Sequence, residues 1–179
     1  MTEIQLEDRT FQLYIPHDRI VRQIEIIAIQ LNLSFAGQEI EILALLDGAK
    51  AFADELIPRL KFKYNAHYQQ VKSYRGLESS GQIHFDNRQL KNFHDKKVLI
   101  LEDIVDSGNT LFQLISALKI QNPRQLTIAS LLYKPTQIAY PVPLDFVGFE
   151  IGPEFVVGFG MDYNELGREL KDIYQLKTQ

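Results

Sequence analysis

The sequence predicts an α/β protein built on a doubly wound parallel sheet, and three observations carry that prediction. Apolar runs of strand length alternate with stretches of helical spacing, the order that produces parallel strands joined by right-handed crossovers. One run, "KKVLILEDI" (96–104), is almost continuously apolar up to its acids, as a central strand covered on both faces should be. At 179 residues with 45% hydrophobic side chains, the chain can fill one core and is short for two.

Taken in order, "IPHDRIVRQIEIIAIQLNLSF" places Ile20, Ile24, Ile27 and Leu31 at spacings of three and four, which predicts an amphipathic helix starting near Asp18. "EIEILALLDG", Glu39 to Gly48, is a strand ending in a glycine turn, and "AKAFADELIPRL" follows as a helix that stops near Pro58. "FKYNAHYQQVKSY" is strand material, "RGLESSG" a polar loop and "QIHFDN" a returning strand. After the central strand, "SGNTLFQLISALKIQNP" sets Leu111, Leu114, Ile115 and Leu118 on one helix face and closes at Asn122 and Pro123. "QLTIASLLYKP", "DFVGFEI" and "FVVGFGMDY" supply three further strands.

Composition excludes several functions. Nineteen basic against 23 acidic residues give a formal charge of -4, and no basic run could track a phosphate backbone, so a nucleic-acid partner is not expected. Cysteine is absent, which removes disulfides, thiolate zinc sites and thiol nucleophiles. The acidic start "MTEIQLEDRT" lacks the apolar centre of an export signal, and no apolar run approaches bilayer-spanning length. The expectation is a cytoplasmic protein with no membrane partner. His17, His67, His84 and His94 show no paired ligand spacing and are read as surface or strand residues.

The chemistry concentrates in "VLILEDIVDSGNTL", Val98 to Leu111, where a buried strand turns into a helix and carries Glu102, Asp103 and Asp106. Ligands of an open parallel sheet bind beyond the carboxyl ends of its strands, which is where these acids fall. The following "SGNT" offers small side chains, hydroxyls and the amides of a helix start, a combination that can hold a phosphate. Carboxylates repel a bare phosphate, so a divalent cation such as Mg²⁺, or a neutral polyol such as ribose, would have to lie between them. A solvated turn in which Asp106 or Ser107 merely caps the helix explains the same residues equally well. Glu102 and Asp103 are consecutive, so both reach one sugar only if the backbone is already leaving the strand there.

This turn resembles the phosphoribosyl-diphosphate (PRPP) signature of the type I phosphoribosyltransferases. "VKSYRGLESSG", "SLLYKPT", "DFVGFEI" and "FVVGFGMDYNELGREL" are similar, in order, to segments of the hypoxanthine/guanine phosphoribosyltransferase family. The resemblance implies a single domain over residues 1–179 with the type I sheet, a mobile lid around 72–81 and a small hood formed from the terminal segments. It also implies purine salvage: hypoxanthine, with guanine as a second base, reacts with Mg²⁺-bound PRPP to give the nucleoside monophosphate and pyrophosphate. The implied assembly is a homodimer or homotetramer. A non-catalytic PRPP or nucleotide sensor on the same fold is the rival, although neither a helix-turn-helix segment nor a basic face accompanies the chain.

Site residues follow from the resemblance. Glu102 and Asp103 would hold the ribose hydroxyls, in part through Mg²⁺, and Asp106, Ser107, Gly108, Asn109 and Thr110 would wrap the 5′-phosphate. Asp106 would also be the catalytic base facing the purine. "LLDGA" implies a pyrophosphate contact through the backbone of Leu46, Asp47 and Gly48, with a cis peptide between Leu46 and Asp47. Ser73 and Tyr74 of the lid would cover the pyrophosphate, and Arg168 would approach it. Lys134 would donate to the purine 6-oxo group, Phe146 would stack on the ring, and the Val147 backbone would meet the base edge. The family commonly places an acid for a second Mg²⁺ after "GFEI", where this chain has Gly152-Pro153-Glu154, so no metal is assigned there.

Overall fold

The structure, a computed structural model, describes residues 2–73, 83–85 and 92–177. Its elements run β1 (Glu3–Leu6), β2 (Arg9–Ile15), α1 (His17–Ser34), β3 (Glu39–Leu46), α2 (Lys50–Leu56), β4 (Lys63–Ser73) and β5 (Ile83–Phe85). They continue with β6 (Lys97–Val105), α3 (Asn109–Ile120), β7 (Gln125–Tyr133), β8 (Phe146–Glu150), β9 (Val156–Val157) and β10 (Ile173–Leu176).

Among the described residues, two sheets form. The larger has the order β5-β4-β3-β6-β7-β8, with β4 to β8 parallel and β5 antiparallel at one edge. Its central strands are apolar on both faces because both are covered. Ile40, Ile42, Ala44, Leu99 and Leu101 pack with the buried side of α1 and with Phe52 of α2. The intervening Leu43, Leu45, Val98 and Ile100 pack instead against Leu111, Leu114, Ile115 and Leu118 of α3. Alternation along each strand thus feeds two cores, the arrangement the continuous apolar runs predict. The site residues at the strand ends therefore stand on the most deeply packed part of the molecule.

The smaller sheet, β1-β2-β10-β9, is antiparallel and takes its strands from both ends of the chain. Its core is small, Phe11, Val157 and Tyr174 with flanking Ile4, Leu6 and Leu13. Neither β1, β2 nor β10 is anticipated above, because short strands with one wet face carry little periodic signal. The expected strand in "FVVGFGMDY" shrinks to β9, since Gly158, Phe159 and Gly160 take φ of 98, 50 and 98° and turn the chain.

Helix α1 begins one residue earlier than expected. Its first amide, from His17, is met by the Asp172 carboxylate at 2.7 Å, a cap supplied from far along the chain. Helix α2 ends in a 3₁₀ turn, Ile57–Arg59, around Pro58. His17 sits in that first turn of α1, half-buried beside the Phe159 ring, and not on a strand or the open surface. His67 lies on β4 and meets Glu41 at 2.6 Å, His84 lies on β5, and His94 is exposed.

Candidate active site

Three strand ends build the site. Strand β6 continues through both acids to Val105, so the backbone does not leave the sheet at Glu102 and Asp103 as expected. Both side chains are nonetheless buried, at 8% and 7% exposure, and Glu102 Oε2 has no hydrogen-bond partner. Burial pushes the Glu102 carboxyl well above the usual range, and the neighbouring Asp103 charge adds to the rise. Burial also lifts Asp103, against the opposing pull of Glu102, backbone amides and Arg168. Two buried oxygens-only side chains, one with an orphaned atom and both disfavoured as bare anions, suit a hard divalent cation whose other ligands are substrate oxygens and water. Among the described residues, no cluster of three or more His, Asp or Glu forms a complete metal site.

The turn after β3 lies alongside. Ala44 pairs with Leu101, so two residues further on Leu46 comes level with Asp103. The Leu46–Asp47 peptide is cis. Gly48 has no room for a side chain, since a Cβ there would lie 2.1 Å from Asp103 Oδ2, and its carbonyl in turn abuts Gly160. Asp47 itself points to solvent.

Beyond β6, Asp106, Ser107, Gly108, Asn109 and Thr110 line a concavity of about 80 Å³. Ser107 accepts amide hydrogen bonds from both Ala139 and Tyr140 at 3.0 Å, which ties the loop to the segment after β7. Gly108 has φ 81°, and a Cβ would meet the Tyr140 carbonyl at 2.2 Å, so only glycine lets the loop close before α3 starts.

The same register sets Lys134. Its amide donates to the Val105 carbonyl at 2.9 Å, which places it next to Asp106. The buried Lys134 ammonium then pairs with Asp106 Oδ2 at 2.8 Å, while the Asp106 side chain remains half-exposed. The Pro153 carbonyl stands 3.5 Å from the same ammonium. Glu154 does not line the cavity and folds back over Gly152.

A cavity of about 640 Å³ opens over these groups and is lined by Asp103, Asp106, Lys134 and Arg168. Arg168 is held by Asp162 at 2.7 Å and by the Gly160 carbonyl at 2.9 Å. Ser73 ends β4, with its backbone paired to Ile83, while Tyr74 and most of the 72–81 segment lie outside the described residues.

Phe146 and Val147 are not brought into this cavity, and their assignment to the purine is corrected. Strand β8 runs parallel to β7 with Phe146 opposite Ala129, five residues before Lys134. That is about 16 Å back along the strand, at the amino edge of the sheet. Phe146 there lines a different hollow, with Phe35, Lys97 and Gln125. The cavity's aromatic wall is Phe155 instead, 42% exposed, with Val156 and Asp162 also lining the cavity. The two similar strings of the sequence do not by themselves separate the candidates. "FVGF" recurs as "FVVGF", and the first copy begins a parallel strand, whose start lies opposite the ligand edge.

A five-strand parallel sheet with its acids at the carboxyl edge and a hood above is the type I phosphoribosyltransferase fold. Residues 14–164 match the phosphoribosyl transferase domain family. The chain is 39% identical over 133 residues to the hypoxanthine phosphoribosyltransferase of Buchnera aphidicola, covering 74% of this chain and 75% of that one. It superposes on a hypoxanthine phosphoribosyltransferase from Staphylococcus aureus with a TM-score of 0.86, at 31% identity over 93% and 91% of the two chains. The Trypanosoma cruzi enzyme, solved with its product IMP, gives a TM-score of 0.86 at 28% identity over 97% of each chain. The chain belongs to the hypoxanthine/guanine phosphoribosyltransferase family.

Proposed function

We propose that this chain transfers the 5-phosphoribosyl group from PRPP to hypoxanthine, with guanine as a second base, forming IMP or GMP and pyrophosphate. The observation that carries the reading is one cavity lined by buried Asp103, a half-exposed aspartate, a buried lysine and a bare aromatic ring, with buried Glu102 lining the adjoining concavity that shares Asp106. A sensor would need the first of these and has no use for the rest.

In this reading Glu102 and Asp103 would hold the ribose hydroxyls and a Mg²⁺ ion, whose charge would neutralise the leaving pyrophosphate. The loop from Asp106 to Thr110 takes the 5′-phosphate on its amides and hydroxyls. Leu46, Asp47 and Gly48 offer backbone groups to the pyrophosphate, with Arg168 opposite, and Ser73 and Tyr74 cover it from the lid. Phe155 lies against the purine face and Val156 meets its edge.

Lys134 reads the 6-oxo oxygen. A buried ammonium must keep an acceptor, so the base can draw Lys134 away from Asp106 only by offering one in exchange. Asp106 is then free to hold the proton on the purine's second imidazole nitrogen while the other attacks C1′. The C1′–O bond to pyrophosphate breaks as the new C1′–N bond forms, and the cavity walls keep water from the cationic sugar.

The same reading sets the enzyme in the cytoplasm as a homodimer or homotetramer; sedimentation at micromolar concentration checks the assembly. The activity is tested by mixing protein, PRPP, Mg²⁺ and hypoxanthine and following IMP and pyrophosphate by chromatography. Stoichiometric appearance of both is expected. PRPP binding without turnover would point to the sensor instead.

A further inference from the structure

The wall of the cavity is supported from outside it, by the β1–β2 hairpin. Phe155 sits beside Phe11 of β2, with ring centroids 6.5 Å apart, and beside Tyr163 at 6.0 Å. Phe11 and Tyr163 close the triangle at 5.9 Å. Phe11 is wholly buried in the small-sheet core, so this corner of the triangle cannot shift without opening that core. Tyr163 is tethered at its other end, where its hydroxyl donates to Asp8 Oδ1 at 2.9 Å. Next to it, Asn164 Nδ2 donates to Glu7 Oε2 at 2.7 Å. Glu7 and Asp8 form the turn between β1 and β2, and Glu7 takes φ 48° to aim the pair at this loop. The hairpin tip therefore grips residues 163 and 164 while the hairpin body backs the exposed ring.

We propose that the β1–β2 hairpin is a buttress that sets the position of the purine wall, with Phe11 and Asp8 as positioning residues acting through Phe155 and Tyr163. Among the described residues, the ring contacts and side-chain hydrogen bonds that Phe11, Glu7 and Asp8 make outside the hairpin fall on Phe155, Tyr163 and Asn164 and on none of the residues assigned to PRPP, so the effect of these contacts falls on the base. This rests on the reading of Phe155 as the face that meets the purine.

Steady-state kinetics of the full chain test both levels. Phe11→Leu removes one ring of the triangle, and Asp8→Ala releases the tyrosine at the surface without disturbing any core. Each is expected to raise KM for hypoxanthine about 2- to 10-fold, the size of one aromatic pair or one hydrogen bond, with KM for PRPP unchanged. Asp8→Asn, which still accepts from the hydroxyl, is expected to restore the parent value. Phe155→Ala is the control for the underlying reading and should raise the hypoxanthine KM by more than either. If Phe155→Ala raises it while Asp8→Ala and Phe11→Leu leave it unmoved, or move both KM values equally, the buttress is overturned. If Phe155→Ala itself leaves the hypoxanthine KM unchanged, the wall is wrongly assigned and the buttress falls with it.

Discussion

The two halves of the cavity are built in different ways. The phosphate half stands on the ends of β3 and β6, whose residues lie inside the two main cores, and apart from Arg168 and the lid its groups come from short continuous stretches, 46–48 and 102–110. The base half is assembled from pieces remote in the chain: Lys134 after β7, Phe155 and Val156 where β9 begins, and Asp162 in a loop gripped by the β1–β2 turn. A strand end in a packed parallel sheet has nowhere to go, so its side chains are preset by the fold. A wall held by a triangle of aromatic rings and surface hydrogen bonds is less firmly preset. The difference teaches that sugar-phosphate handling and base choice can be damaged separately.

The largest expected effect should ignore that division. Asp106→Asn keeps shape and the contact with Lys134 but removes the proton acceptor, and kcat should fall by roughly 10² to 10⁴ with both KM values little changed. Turnover near the parent value at saturating substrates would remove Asp106 from the chemistry.

A sharper cut through the base half is Lys134→Gln. Losing a buried charged hydrogen bond should lower kcat/KM for hypoxanthine by about 10- to 150-fold. Because an amide both donates and accepts, the advantage of hypoxanthine over adenine should narrow as well. Measuring kcat/KM for both bases in both proteins checks this, and an unchanged ratio would place base selection elsewhere.

On the phosphate half, Gly48→Ala drives a methyl group into the Asp103 carboxylate. KM for PRPP should rise by roughly tenfold, the weight of one charged hydrogen bond, while competition by free hypoxanthine analogues is unaltered. Equal loss in both would show that the two halves are coupled after all.

The smallest effect concerns stability. Burial raises Glu102 and Asp103, so between their ordinary and raised pKa values the folded protein holds more protons than the unfolded chain. Stability of the ligand-free protein is then full in acid and declines as pH rises through that window. Glu102→Gln removes the larger contribution. Its Tm in mildly alkaline buffer should exceed the parent's by a few degrees, with the gap closing in acid, even as PRPP turnover is lost. A Tm below the parent's throughout would mean that the carboxylate is satisfied in a way its burial does not reveal.

The sequence by itself determined the parallel sheet, the central strand and the acid turn, because all three are local. A continuous apolar run has one comfortable place in an α/β fold, and carboxylates followed by "SGNT" need no distant partner to be recognised. Lys134 was marked only by the resemblance of "SLLYKPT" to the family's segment, since a lone lysine past a strand end is ordinarily solvated. Only the tertiary structure decided which phenylalanine faces the base. Phe146 and Phe155 stand in nearly identical strings, and nothing within either string separates them. What separates them is that β8 pairs parallel to β7, which carries Phe146 to the amino edge, while β9 pairs antiparallel to β10 and leaves Phe155 over the carboxyl edge. The hood was equally hidden, since β1, β2 and β10 are short and half wet, and become strands only when the two ends of the chain meet to bury Phe11 and Tyr174. Pairing between residues more than 150 positions apart leaves no periodic trace in either segment, so it is settled when the core closes and not before.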